Sequence, residues 1–222
     1  MNNRLAIISS IICITACIGD ILVTAILGSY YPGYSHLRDT LSQMGSSISP
    51  VSRMMSLWWI VLGLMFVAFG VCFGKSFLNP SKYVKIAAWL IVLYGVGEGI
   101  SSGVFPVNYN ENGFDFNSLL HIVLSGAGVL AIMILPFVLQ QVFIKKNFPH
   151  FYRYSYIVVV LGLLFISLFS IAKSIDDSQN FFVQYKGLWQ RILSLNFYCY
   201  LISLVLLMLK DKSNKSLPTL NS

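Results

Sequence analysis

The sequence predicts an all-α fold, a polytopic membrane helix bundle with six transmembrane helices, and three observations carry that expectation. Six apolar stretches fill most of the 222 residues, 56% of the chain is hydrophobic, and only 10% is charged. A soluble domain usually carries about 25% charged residues. The stretches cover 5–29, 55–78, 83–106, 118–143, 155–173 and 188–209. Each meets or approaches the ~20 residues that cross a ~30 Å hydrocarbon core at about 1.5 Å per residue. Backbone polar groups have no water to pair with in lipid, so such spans must be helices. One domain over 1–209 follows, with a Lys/Ser/Asn-rich tail over 210–222 whose composition predicts disorder.

The first span holds a single charge, Asp20. Its Ile14-Thr15-Ala16-Cys17 resembles a lipoprotein cleavage site, but the apolar run continues to Leu27, as a retained anchor does. In the polar loop 30–53, Leu37, Leu41 and Met44 recur at helical spacing, predicting a short interfacial helix ended by the Gly45–Pro50 cluster. Trp58 and Trp59 open the second span, where amphipathic rings suit the headgroup zone. The third span carries Gly95, Gly99 and Gly103 four residues apart, a small-residue stripe that admits a close neighbour. Ser125, Gly126 and Gly128 in the fourth span offer a matching surface. No internal repeat points to an inverted-repeat transporter.

The net charge of +7 suits nucleic acid only if it is clustered in water. Here it follows topology. With the N-terminus inside, ten of the fifteen basic residues fall in cytoplasmic segments: Arg4, Lys75, Lys82, Lys85, Lys145, Lys146, Arg153, Lys210, Lys212 and Lys215. Five fall outside: Arg38, Arg53, Lys173, Lys186 and Arg191. Positive residues favour the cytoplasm, so both termini are expected there, in the cell membrane, with lipids as partners and no nucleic acid. Cys13, Cys17, Cys72 and Cys199 lie within spans without a C-x-x-C pair, so no disulfide framework or zinc ribbon is indicated.

Ionisable groups inside spans cost about 2.5–3.5 kcal/mol at the bilayer centre and are functional candidates by default. Asp20 and Glu98 lie about 14 and about 12 Å from the outer ends of their spans at the helical rise. His121 opens span four, and Gln190 and Arg191 enter span six at a similar level. These groups share the outer half of the bundle, with His36, Arg38 and Asp39 of the first loop above them. Three readings follow. Asp20 or Glu98 could pair with Arg191, and His121 with a carboxylate, as a structural network. Asp20, Glu98 and His121 could ligate a divalent ion, zinc suiting those donors, in a hydrolase acting on a lipid ester or amide. In that site Arg191 is the counter-charge, and His36, Arg38 and Asp39 form a substrate-binding lid. Alternatively, the two carboxylates could handle protons or a small solute in a transporter.

Four separated segments carry a resemblance. They are Tyr31-Pro32-Gly33-Tyr34-Ser35-His36 with Leu41-Ser42-Gln43-Met44-Gly45, the glycine-rich third span ending Val104-Phe105-Pro106, His121, and Gly187-Leu188-Trp189-Gln190-Arg191. In that order they resemble the family called domain of unknown function 998, over about residues 5–209. The chain departs from the family near Gln43, where members often carry an acid, and after Phe105-Pro106, where the Asp that members often carry soon after appears only later, as Glu111 or Asp115. The resemblance implies a six-helix integral membrane protein of bacteria or archaea and no particular reaction.

Overall fold

The computed structural model describes residues 2–108 and 115–216, and among them every regular element is helical. Six helices are long and apolar enough to cross a membrane. They are α1 (Asn3–Ser29), α3 (Ser52–Ser76), α4 (Lys82–Val104), α5 (Phe116–Val142), α6 (Pro149–Ser174) and α8 (Lys186–Ser216). Two four-residue helices, α2 (Leu41–Met44) and α7 (Phe181–Gln184), lie in the loops at one end. The fifth span starts at Pro149, earlier than hydropathy alone indicates, because proline's fixed φ and missing N–H suit a first helical turn. Glu111 and the tail beyond Ser216 lie outside the described residues.

Each long helix packs against its neighbours in chain order, and α8 returns to α1, so the six form a ring. Side chains facing away from the ring are large and apolar, among them Ile11, Trp89 and Val160. That is the surface lipid requires. The half of the ring nearest the chain termini is solid. Phe69, Phe73, Leu135, Leu139, Tyr200 and Leu204 fill it, each fully buried. The other half, nearest the first loop, is hollow.

Glycine brings the helices of the α3–α4–α5 wall together. A Cβ on Gly63 of α3 would stand 2.5 Å from the Gly95 carbonyl oxygen and 2.5 Å from the Ile100 nitrogen. One on Gly97 would stand 2.5 Å from the Leu124 oxygen of α5. The Gly95/Gly99/Gly103 stripe therefore meets α3, through Gly63 and Ser56, rather than α5. The reason is local: residues Gly95–Ile100 form a π-helical turn, whose extra residue per turn rotates the faces of α4 and sends Gly97 to Gly128 of α5. Gly126 meets nothing within 4 Å.

The first loop is folded by its own chemistry. Gly33 takes φ +77° after Pro32, a proline–glycine turn in which Tyr34 N–H donates to the Tyr31 carbonyl at 3.1 Å. Asp39 accepts from Ser35 N–H at 2.7 Å, and Gln43 Oε1 accepts from Thr40 N–H at 2.6 Å. These bonds start α2 at Leu41 and leave Leu37 outside it, exposed. The loop is then fastened to α8. Arg191 Nη1 donates to the carbonyls of His36 (2.8 Å), Asp39 (2.9 Å) and Gly187 (3.0 Å), and Nη2 donates to the Tyr34 hydroxyl at 2.5 Å. Leu188 N–H donates to the Leu37 carbonyl at 2.9 Å, and Gln190 Oε1 accepts from Leu41 N–H at 2.9 Å. A Cβ on Gly187 would collide with the Asp39 carbonyl oxygen. The two loop-end motifs of the sequence are thus halves of one strap.

Two outcomes are expected. Gly63→Ala lowers stability by about 1–3 kcal/mol through overpacking, whereas Gly126→Ala leaves it unchanged; thermal unfolding in detergent distinguishes them. The His36 ring, pressed on Gly28 and edge-on to Tyr34, has its pKa lowered by burial and by the Arg191 charge. The unfolded chain then takes up the proton first, so this contact contributes fully above about pH 6.5 and weakens as pH falls toward the lower folded value. Between pH 7.5 and 5.5 the unfolding midpoint should fall by about 2 °C more in the native protein than in His36→Gln.

Candidate functional site

The hollow half of the ring is a cavity of about 690 Å³ to which all six long helices contribute. Asp20, Glu98, His121 and Gln190 line it, together with Leu41 and Ser42 of the strap. Its floor is aromatic: the Phe66 ring lies edge-on to Tyr94 at 5.0 Å and stacks on Tyr198 at 6.2 Å. Beneath that cluster lies the solid half. The cavity is therefore one-ended.

The polar groups in it differ sharply in how they are held. Asp20, 5% exposed, accepts Trp58 Nε1–H at 2.9 Å on Oδ1 and the Tyr198 hydroxyl at 2.8 Å on Oδ2. Hydrogen bonds to a carboxylate contribute about 1.5–3 kcal/mol each. Here they tie α1 to α3 and to α8 and leave Asp20 little to offer a ligand. Its role is to close the ring.

Glu98 is the opposite case. It sits in the π turn of α4, held at the backbone by the Gly97–Gly128 approach. Its carboxylate lines the cavity with no hydrogen-bond donor and no ion-pair partner among the described residues, where Arg38–Asp39 is the ion pair found. His121, 6% exposed, places Nδ1 3.0 Å from the Phe105 carbonyl oxygen. A carbonyl only accepts, so Nδ1 carries the proton and Nε2 is the ring's free acceptor.

Several expectations need correction. Arg191 pairs with neither Asp20 nor Glu98; its guanidinium is used on the strap, where a planar fork of donors meets several carbonyls. His36, Arg38 and Asp39 do not line the cavity. Local turn bonds hold Asp39, and Arg38 lies on the surface, so Leu41 and Ser42 take the covering position instead. No three His, Cys, Asp or Glu side chains among the described residues are grouped to hold a metal ion. With Asp20 spent on Trp58 and Tyr198, and His121 Nδ1 on Phe105, the donors do not fit zinc. All four cysteines are free.

Two contributors escape a reading of the sequence. Trp58 and Trp59 look like interfacial rings, yet one donates to Asp20 and the other lines the cavity. Lys173 counts as a loop charge at the end of span five, yet it too lines the cavity, its Nζ 5.2 Å from the Phe169 ring centroid. The signal for Lys173 was its spacing from Phe169 and Ile166, which puts all three on one helical face.

The wall between α5 and α6 is the thinnest in the ring. Near the chain termini Gln140 Nε2–H donates to the Tyr152 carbonyl at 3.1 Å, and Phe143 packs on Phe151 at 5.5 Å. Toward the first loop, Ile122, Val123 and Leu130 of α5 line the cavity while remaining exposed on the outer surface. The hollow is continuous with the lipid-facing side there.

No curated protein and no solved structure matches this chain. A family model described as protein of unknown function (DUF998) matches residues 14–207, which covers four of the long helices whole, most of α1 and α8, the strap and every cavity-lining residue named above. The chain is a multi-pass membrane protein that belongs to the DUF998 family.

Proposed function

We propose that this protein binds a membrane amphiphile in the hollow half of its helix ring, with both termini cytoplasmic and the cavity beneath the outer leaflet of the cell membrane. The bias of basic residues toward the terminal end supports that orientation. The observation that carries the binding reading is the cavity itself: about 690 Å³, mostly apolar, floored by aromatic rings, and furnished with a few converging polar groups. Ligand pockets have this make-up and lie in this range of about 300–1,000 Å³.

Binding is preferred to the neighbouring readings on particular grounds. A transporter needs a route onward, and the packed side chains beneath Phe66 leave none in this conformation. Metal-dependent hydrolysis of a lipid ester or amide lacks its ligand set, since Asp20 is already bonded by two helices. A purely structural polar network accounts for Asp20 and Arg191 but leaves Glu98 without a partner.

The test is lipid retention by native mass spectrometry of detergent-extracted protein. The native chain should carry a co-purified amphiphile. Ser194→Trp, which puts a bulky ring into the cavity, should lower its occupancy at least tenfold, while Val160→Trp on the outer face leaves it intact. Equal occupancy in both variants, or none in the native chain, would contradict the proposal.

A further inference from the structure

The cavity pairs charges that the fold itself leaves apart. Glu98, deep and without a donor, and Lys173, at the mouth, both line it, yet they form no ion pair within 4.0 Å among the described residues. Neither has another ionic partner there. An unpaired carboxylate facing a largely apolar hollow costs free energy that a ligand cation would recover.

Acceptors stand ready in the cavity. His121, whose free ring nitrogen Nε2 accepts, lines the same cavity as Glu98. Tyr94 and Phe66 close the deep end with aromatic surface, on whose faces a cation is also favoured. An ammonium bearing N–H donors fits this combination better than a quaternary one, because His121 Nε2 requires a donor. Lys173, the one cation lining the cavity among the described residues, marks where a negative group would rest. Its place at the last turn of α6 sets that group near the headgroup level.

We infer that the ligand is a zwitterion, a primary ammonium held by Glu98 and His121 joined to a phosphate or carboxylate held by Lys173. This rests on the amphiphile-binding reading and adds the headgroup to it. The open part of the α5–α6 wall names the source. Gly126 lines the cavity with nothing within 4 Å of a Cβ position, and Lys173 lines the same cavity from α6. A lipid can enter there headgroup first and leave its acyl chains among Ile122, Val123 and Leu130, which face both the hollow and the bilayer. A primary-ammonium phospholipid such as phosphatidylethanolamine has the required chemistry.

The experiment reconstitutes the full chain in nanodiscs and measures bound-lipid exchange with three probes of equal acyl length: phosphatidylethanolamine, phosphatidylcholine and phosphatidylglycerol. The native chain should favour the first at least tenfold over each of the others. Glu98→Gln should erase the preference over phosphatidylglycerol. Lys173→Met should weaken phosphatidylethanolamine several-fold while keeping its lead over phosphatidylcholine. Equal binding of all three, still blocked by Ser194→Trp, would overturn the headgroup assignment and leave amphiphile binding standing. No binding of any would remove both. Free phosphoethanolamine is the fourth arm: if it displaces the lipid at matched concentration, zwitterion recognition holds but the seam route falls. Should Glu98→Gln fail to fold, the headgroup comparison on the native chain decides alone.

Discussion

The Asp20 carboxylate is the interaction on which the rest of the architecture hangs. A ring of six helices closes only if the last returns to the first, and in lipid no hydrophobic effect drives apolar helices together. Trp58 and Tyr198 each donate to one oxygen of Asp20, so a single side chain on α1 holds both of its neighbours, α3 and α8. The contact sits just above the aromatic floor. It marks the level at which the ring changes from solid to hollow.

Above that level different means hold the walls apart and together. On one side glycines allow backbone contact, and the π turn in α4 lets Gly95 and Gly99 meet α3 while Gly97 meets α5. Breaks of this kind in regular helices gather at functional sites, and this one carries Glu98. On the other side α5 and α6 are joined near the chain termini through Gln140 and Phe143 but part toward the first loop. The strap closes the top, fixed by Arg191 through carbonyl groups rather than through another charge. Its hold therefore depends on backbone geometry, which explains why Gly33 and Gly187 stand where they do.

The spans were legible because length and apolarity decide them, and the structure departs only at helix ends such as Pro149. That Asp20, Glu98 and His121 lie in the same half of the ring was legible too, since the rise per residue converts sequence position into depth. Their roles were not. Depth is one coordinate of three, and nothing in the first span says that Asp20 is bonded by Trp58 and Tyr198 rather than left free for a ligand. Arg191 was misread for the same reason: its partners are the carbonyls of a loop some 150 residues away, and backbone groups leave no pattern in side-chain identity. Lys173 was hidden by its usefulness as a topology marker. The glycine stripe announced a close approach but not its partner, because a π turn rotates the helix faces without leaving a signal that spacing alone can carry.

Whether the hollow is filled from the bilayer is best decided by photo-crosslinking the native protein in vesicles with a phospholipid bearing a diazirine in its acyl chain, then mapping the adducts. Adducts on cavity-facing positions of α5 and α6, such as Leu130, Ile166 and Phe169, are the expected result. Adducts confined to the outward surface, at Ile11, Trp89 and Val160, would contradict a lipid-filled ring.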